Sequence, residues 1–214
     1  MSLKKNGVAE IGKFSECGLL EEMETKYFEN AVWAKVFDHN VNGGNTVFNS
    51  IDEVKNCNTT NKYSRLYLLD SFKTKDGKIE FLLEYPDDVP NKYNRWKQTN
   101  NPFNEYMGSG TRPVTGYEAV HIDWSGSYWG GLERHLEDPT SFNEAYLDGS
   151  VGHTNWYFAI GLKSKYGTGS PGPSGMSSIA GRIWLWVRID TLPDENICRL
   201  TKNNCLVASD FYEI

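Results

Sequence analysis

The 214-residue chain is defined first by what it lacks. No stretch comes near the roughly 18 uncharged apolar residues that a membrane-spanning helix requires, so membrane insertion is not expected. No five or six basic residues cluster. The 22 Lys and Arg are scattered and outnumbered by 28 Asp and Glu, for a formal charge of −6 and a pI near 5.3. Phosphate neutralisation dominates nucleic-acid affinity, so nucleic acid is not an expected partner. The four cysteines, Cys17, Cys57, Cys198 and Cys205, form no CxxC, which leaves zinc and thioredoxin-like readings without support. Met1–Lys5 lacks the apolar core of a secretory signal. There is no GxSxG, P-loop or HExxH, so no nucleophile, phosphate or zinc motif points to an enzyme or to a cofactor. Heptads are absent, and Met is only 4.

What the chain has is aromatic surface and turn residues: 7 Trp, 12 Tyr, 10 Phe and 20 Gly, against a mean hydropathy of −0.56. Aromatics with Gly, at low Ala and Leu, predict a β-rich domain. Strands are expected over 32–37, 78–85, 115–124, 127–134, 155–162 and 182–189. In the last, Ile183, Leu185, Val187 and Ile189 share one face, while Arg182, Trp184, Trp186 and Arg188 share the other. A strand with two Trp on its second face is expected to be covered on both sides, as in a sandwich. Leu20, Met23 and Tyr27 have helical spacing within 19–28, and Tyr63, Leu66 and Leu69 within 63–72. Residues 91–113 and the Gly/Pro-rich 163–178 read as loops.

Together these give an all-β protein. It is an antiparallel β-sandwich, jelly-roll-like, with long loops and one or two short helices. The expected organisation is a terminal hairpin and linker over 1–30, the sandwich domain over 31–190, and a C-terminal hairpin over 191–214 packed near the N-terminus. The two ends repeat one pattern, with Lys5, Asn6, Phe14 and Glu16 matching Lys202, Asn203, Phe211 and Glu213. A two-residue turn at Asn203-Asn204 would set Cys198 and Cys205 about 13 Å apart along the sheet, too far for a disulfide. All four thiols are therefore expected to be free.

The ending Ala208-Ser209-Asp210-Phe211-Tyr212-Glu213-Ile214 resembles those of phage tail-fibre and related tail proteins. Across roughly 31–190, a series of motifs resembles an uncharacterised β-rich domain of phage or gut-bacterial and extracellular invertebrate proteins. The motifs are Trp96 to Pro102, Val114 to Tyr117, Trp129 to Leu132, Asn155 to Gly161 and Pro171 to Pro173. The resemblance implies surface display and binding rather than chemistry, in an extracellular or virion-associated setting.

Three segments carry the expected site. Asn94 to Pro102 sets Trp96 among Gln98 and Asn100, the flat apolar face and planar amides that sugar recognition uses. The alternative is a buried Trp anchoring a long loop. Trp124 to Gly131 offers Tyr128 and Trp129 beside small residues, with a cross-strand Trp124–Trp129 pair as the alternative. His153 to Tyr157 adds His153 and Trp156. Asp148 with His153, or His121 with Asp123, lacks a third ligand at diagnostic spacing, so no metal is expected. His39 reads as a turn residue. Glu118, Asp123, Glu133 and Glu137 are the carboxylates a hydrolase would draw on. The sequence thus predicts a non-enzymatic module that binds a cell-surface glycan or protein through Trp96, Gln98, Asn100, Tyr128, Trp129, His153 and Trp156. A fibre or homo-oligomerisation module and a glycan-active hydrolase are the alternatives.

Overall fold

The computed structural model describes residues 23–43, 46–103, 114–134, 145–152, 156–174 and 177–193. The chain is all-β and antiparallel. Its strands are β1 (Thr25–Phe28), β2 (Ala31–Asn40), β3 (Cys57–Asn58), β4 (Lys62–Ser64), β5 (Ile79–Glu84), β6 (Tyr93–Gln98), β7 (Glu118–Ile122), β8 (Trp129–Arg134), β9 (Ala145–Ser150), β10 (Ile160–Leu162), β11 (Ser170–Ser174), β12 (Ser177–Ala180) and β13 (Arg182–Arg188). Two short helical pieces interrupt them, α1 (Ile51–Lys55) and a 3-10 turn over Leu66–Phe72. An eight-stranded sheet runs β3-β4-β2-β13-β5-β6-β7, with β1 also paired to β2. A three-stranded sheet, β10-β9-β8, and a β11–β12 ribbon complete the set.

The alternation expected in β13 sets the layers. Ile183, Leu185 and Val187 face inward with Phe81, Leu83 and Trp96 of the large sheet. Leu132, Leu147 and Ile160 of the small sheet join the same core, which gives the sandwich-like arrangement. On β2 the ladder shifts between Leu185 and Trp186, whose partners are Phe37 and Lys35. Val36 is the extra residue, so Val36 and Phe37 both reach the core while Lys35 stays outside.

The outer face of the large sheet is covered differently from a second β-layer. Trp33, Leu82, Tyr93 and Trp186 form a buried aromatic patch, with Trp186 only 1% exposed. Cations lie on the rings: Lys26 Nζ 4.3 Å and Lys35 Nζ 4.8 Å from the Trp186 centroid, and Arg95 5.2 Å from that of Trp33. Carboxylates pair with each cation: Lys26–Glu84 at 2.5 Å, Lys35–Glu24 at 2.5 Å and Arg95–Glu80 at 2.7 Å. Long side chains thus bury apolar rings under their stems and keep their charged ends paired.

Five expectations are corrected. Thr25–Phe28 is a strand, not the end of a helix: Glu29 (φ 52°) and Asn30 (φ 55°) make a two-residue turn that pairs Phe28 with Ala31. Residues 62–64 are a strand and only 66–72 are helical. Tyr93–Gln98 is an interior strand rather than loop, and Ser170–Ser174 pairs with β12 despite Pro171 and Pro173, which sit where the ribbon has a register shift. His39 lies within β2 and is buried, not in a turn. Cys57 is a half-buried free thiol that burial pushes up. Cys17, Cys198, Cys205 and both terminal hairpins lie outside the described residues.

Candidate functional site

Strand β6 organises the site from below. Its inward row is Asn94, Trp96 and Gln98, and all three are fully buried. The two amides hold the neighbouring segments to it. Asn94 donates to the Trp124 carbonyl and accepts the Trp124 N–H, both at 3.0 Å. Gln98 Oε1 accepts Trp96 Nε1–H at 2.9 Å and Leu132 N–H at 3.0 Å, while Nε2 donates to the carbonyls of Asn100 (3.0 Å) and Leu132 (3.1 Å). Asn100 is also buried, and its Oδ1 accepts the Thr115 N–H at 2.9 Å. Trp96 and Gln98 are therefore tie points between the two sheets, and Asn100 ties the end of β6 to the segment before β7; none is an open platform. The alternative of a buried Trp and anchoring amides describes them.

Above Trp96 stands Trp129, the first residue of β8. It meets Trp96 edge-on (4.7 Å between centroids, 88°) and leans on Phe158 (4.7 Å, 54°). Its ring packs against Gly149, where a Cβ would come within 2.5 Å of the indole, so a larger residue would force the ring or strand to shift. Trp129 remains half-buried. Trp124 does not pair with it: Trp124 is buried edge-on to Tyr85 at 5.6 Å, because β7 and β8 belong to different sheets.

Two tyrosines flank Trp129. Tyr117 is 37% exposed and Tyr128 is 56% exposed. Burial pushes the Tyr117 hydroxyl up in pKa, and the neighbouring Trp129 indole opposes the rise. Ser127 (φ 57°) and Tyr128 (φ 63°) both have the positive φ that a type I′ turn needs, although neither is Gly or Asn. Phe158 (φ 59°), under Trp129, is a third such residue. Each non-glycine in this region stores on the order of 1 kcal/mol or more, and such strain concentrates where a surface is pre-set for binding. Ser150 Oγ braces the turn by donating to the Ser127 carbonyl at 3.0 Å, and it accepts the Tyr157 N–H at 3.3 Å.

That second bond brings in Trp156, next to Tyr157. Trp156 is half-buried and packs edge-on to the exposed Tyr166 at 5.7 Å. Tyr128 and Trp129 thus stand at the Ser150 end of the small sheet, whereas Trp156 packs against Ala145, Ala159 and Leu162 at the other end of β9. His153 lies outside the described residues. Glu118, next to Tyr117 in the chain, pairs with Lys78 at 2.9 Å and Lys97 at 3.7 Å, which holds its carboxyl below the usual range.

Glu133 and Asp148 stand directly opposite each other across β8 and β9, and both are fully buried. Glu133 Oε1 accepts the Gly152 N–H at 2.8 Å, and Asp148 Oδ1 accepts the Ser150 N–H at 2.6 Å. Sequence reasoning set Glu133 among several acids and Asp148 only beside His153. The strand Ala145–Ser150 that joins them was hidden by its Asp-Gly-Ser ending. His121 and Asp123 approach to 3.4 Å. Among the described residues no three His, Cys, Asp or Glu side chains converge as a metal site. No helix among them is long and apolar enough to cross a membrane.

The fold and site define an all-β, sandwich-like protein with an aromatic patch where its two main sheets meet. No protein-family model, curated protein or solved structure matches the chain.

Proposed function

We propose that this protein is a non-enzymatic binding module that recognises a neutral cell-surface glycan through Tyr117, Tyr128 and Trp129. The setting is a phage tail or an extracellular protein. The observation that carries the reading is Tyr128: a large aromatic, more than half exposed, held at positive φ beside a half-buried Trp. Holding an aromatic there costs folding energy, and a ring face offered to solvent suits the C–H face of a sugar. The neutralised Glu118 supports an uncharged ligand.

The test is a screen against glycans and bacterial surface polysaccharides with the wild type, Tyr128→Ala and Trp129→Ala. Binding by the wild type and at least tenfold weaker binding by both variants is expected. Absence of glycan binding, or unchanged binding in both variants, refutes the reading.

A second reading, a glycan-active hydrolase, has one observation in its favour. Glu133 and Asp148 are directly opposed strand residues, which sets their Cβ atoms about 5 Å apart, and a retaining glycosidase uses two facing carboxyls. It requires that Glu133→Gln and Asp148→Asn abolish cleavage of the bound glycan while binding persists.

A further inference from the structure

The strongest feature outside the aromatic patch lies at the opposite edge of the large sheet. Strands β3 and β4 form a small hairpin in which Asn58 faces Tyr63. Its tip carries Asn58-Thr59-Thr60, the only Asn-X-Ser/Thr sequence in the chain, and all three residues are exposed. The three side chains are used unequally. Thr59 closes the turn: its N–H donates to the Lys62 carbonyl at 2.7 Å, and its hydroxyl accepts the Lys62 N–H at 3.2 Å. The Asn58 carboxamide and the Thr60 hydroxyl make no hydrogen bond among the described residues, and both residues are exposed. These are the two groups an asparagine glycosyltransferase must reach, the nucleophilic amide and the hydroxyl two residues on.

We infer that Asn58 is an acceptor for N-linked glycosylation in the folded protein, taking a sugar activated as a diphosphate ester. In the transfer, Asn58 Nδ2 attacks the anomeric carbon and a nitrogen–carbon bond forms. The bond from that carbon to the diphosphate oxygen breaks, and the diphosphate leaves with the electron pair. The amide proton passes to a base of the transferase. No oxidant or reductant is needed.

The location suits the rest of the molecule. The sheet order β3-β4-β2-β13-β5-β6-β7 places six strand spacings between Asn58 and β7, about 29 Å at ordinary strand separation. Asn58 and Tyr117, beside β7, thus lie at opposite edges of the large sheet. The inference stands independently of the proposed function.

The test uses the folded full chain in two arms. In one, a soluble asparagine glycosyltransferase is given a nucleoside-diphosphate hexose. In the other, a membrane oligosaccharyltransferase is given a lipid-diphosphate donor. An acceptor peptide confirms that each enzyme is active. Intact mass and peptide mapping read the product. A single glycan on the Asn58 peptide in either arm is expected, and the productive arm identifies the donor. Asn58→Gln and Thr60→Ala should each lose it, while Thr60→Ser keeps it. An unmodified folded chain in both arms, or modification that survives Asn58→Gln, overturns the assignment.

Discussion

Gln98 is the single side chain whose removal should most damage the joint between the two sheets. Replacing it by Leu keeps the approximate volume and deletes four buried hydrogen bonds. The Trp96 indole N–H, the Leu132 N–H and C=O, and the Asn100 C=O all lose this partner. A buried polar group left without a partner costs about 1–3 kcal/mol, so even the lower end amounts to about 4 kcal/mol for Gln98→Leu. Domains of this kind are stable by about 5–15 kcal/mol, which leaves the variant marginal. Urea unfolding followed by circular dichroism measures the loss through the shift in midpoint. Trp96→Phe supplies an internal check, because it deletes one of the four orphaned groups in advance. Gln98→Leu in the Trp96→Phe background should therefore cost about 1 kcal/mol less than in the wild type. A loss below about 1 kcal/mol for Gln98→Leu, or full additivity in the double variant, would refute the bridging role.

Three further outcomes are expected. His39 Nε2 donates to the Thr46 carbonyl at 2.7 Å, leaving Nδ1 as a buried lone pair with no donor; burial lowers its pKa from 6.5 to about 4. Below pH 6.5 the unfolded chain takes up a proton that the folded chain refuses, so up to about 3 kcal/mol of stability disappears as pH falls from 6.5 to 4. His39→Leu should flatten that part of the stability–pH curve, and an unchanged slope would count against it. Tyr128→Gly relieves the positive φ and should raise the urea midpoint, a gain of up to about 1 kcal/mol, while glycan binding is lost; a fall in stability would show that the turn is unstrained. Gly149→Ala drives a methyl into the Trp129 ring and should cost about 1–3 kcal/mol and alter the near-ultraviolet circular dichroism; a neutral result would contradict the packing.

The sheet interior was legible wherever strands alternate cleanly. Ile183, Leu185 and Val187 against Trp184 and Trp186 revealed both faces of β13, because two apolar rows need two coverings. The cover of the second row was not legible. Lys26, Lys35 and Arg95 look like solvated charges in sequence, and only pairing across distant strands lays them over the rings. Strand β6 was missed for a related reason. Its inward row contains Asn94 and Gln98, which read as loop residues until Trp124 and Leu132 supply their hydrogen-bond partners. The same long-range contacts turned Trp96, Gln98 and Asn100 from expected surface into interior. Tyr128 and Trp129 kept solvent access because the Ser125-Gly126-Ser127 run before them already marked a surface turn.

The paired charges over the outer sheet face also bear on how the molecule behaves among others. A protein laid on that face would have to strip water from Glu24, Asp38, Glu84, Arg182 and Arg188 while gaining few new apolar contacts, since Trp33 and Trp186 are already covered. The charged cover thus makes that sheet face unfavourable ground for association with another protein.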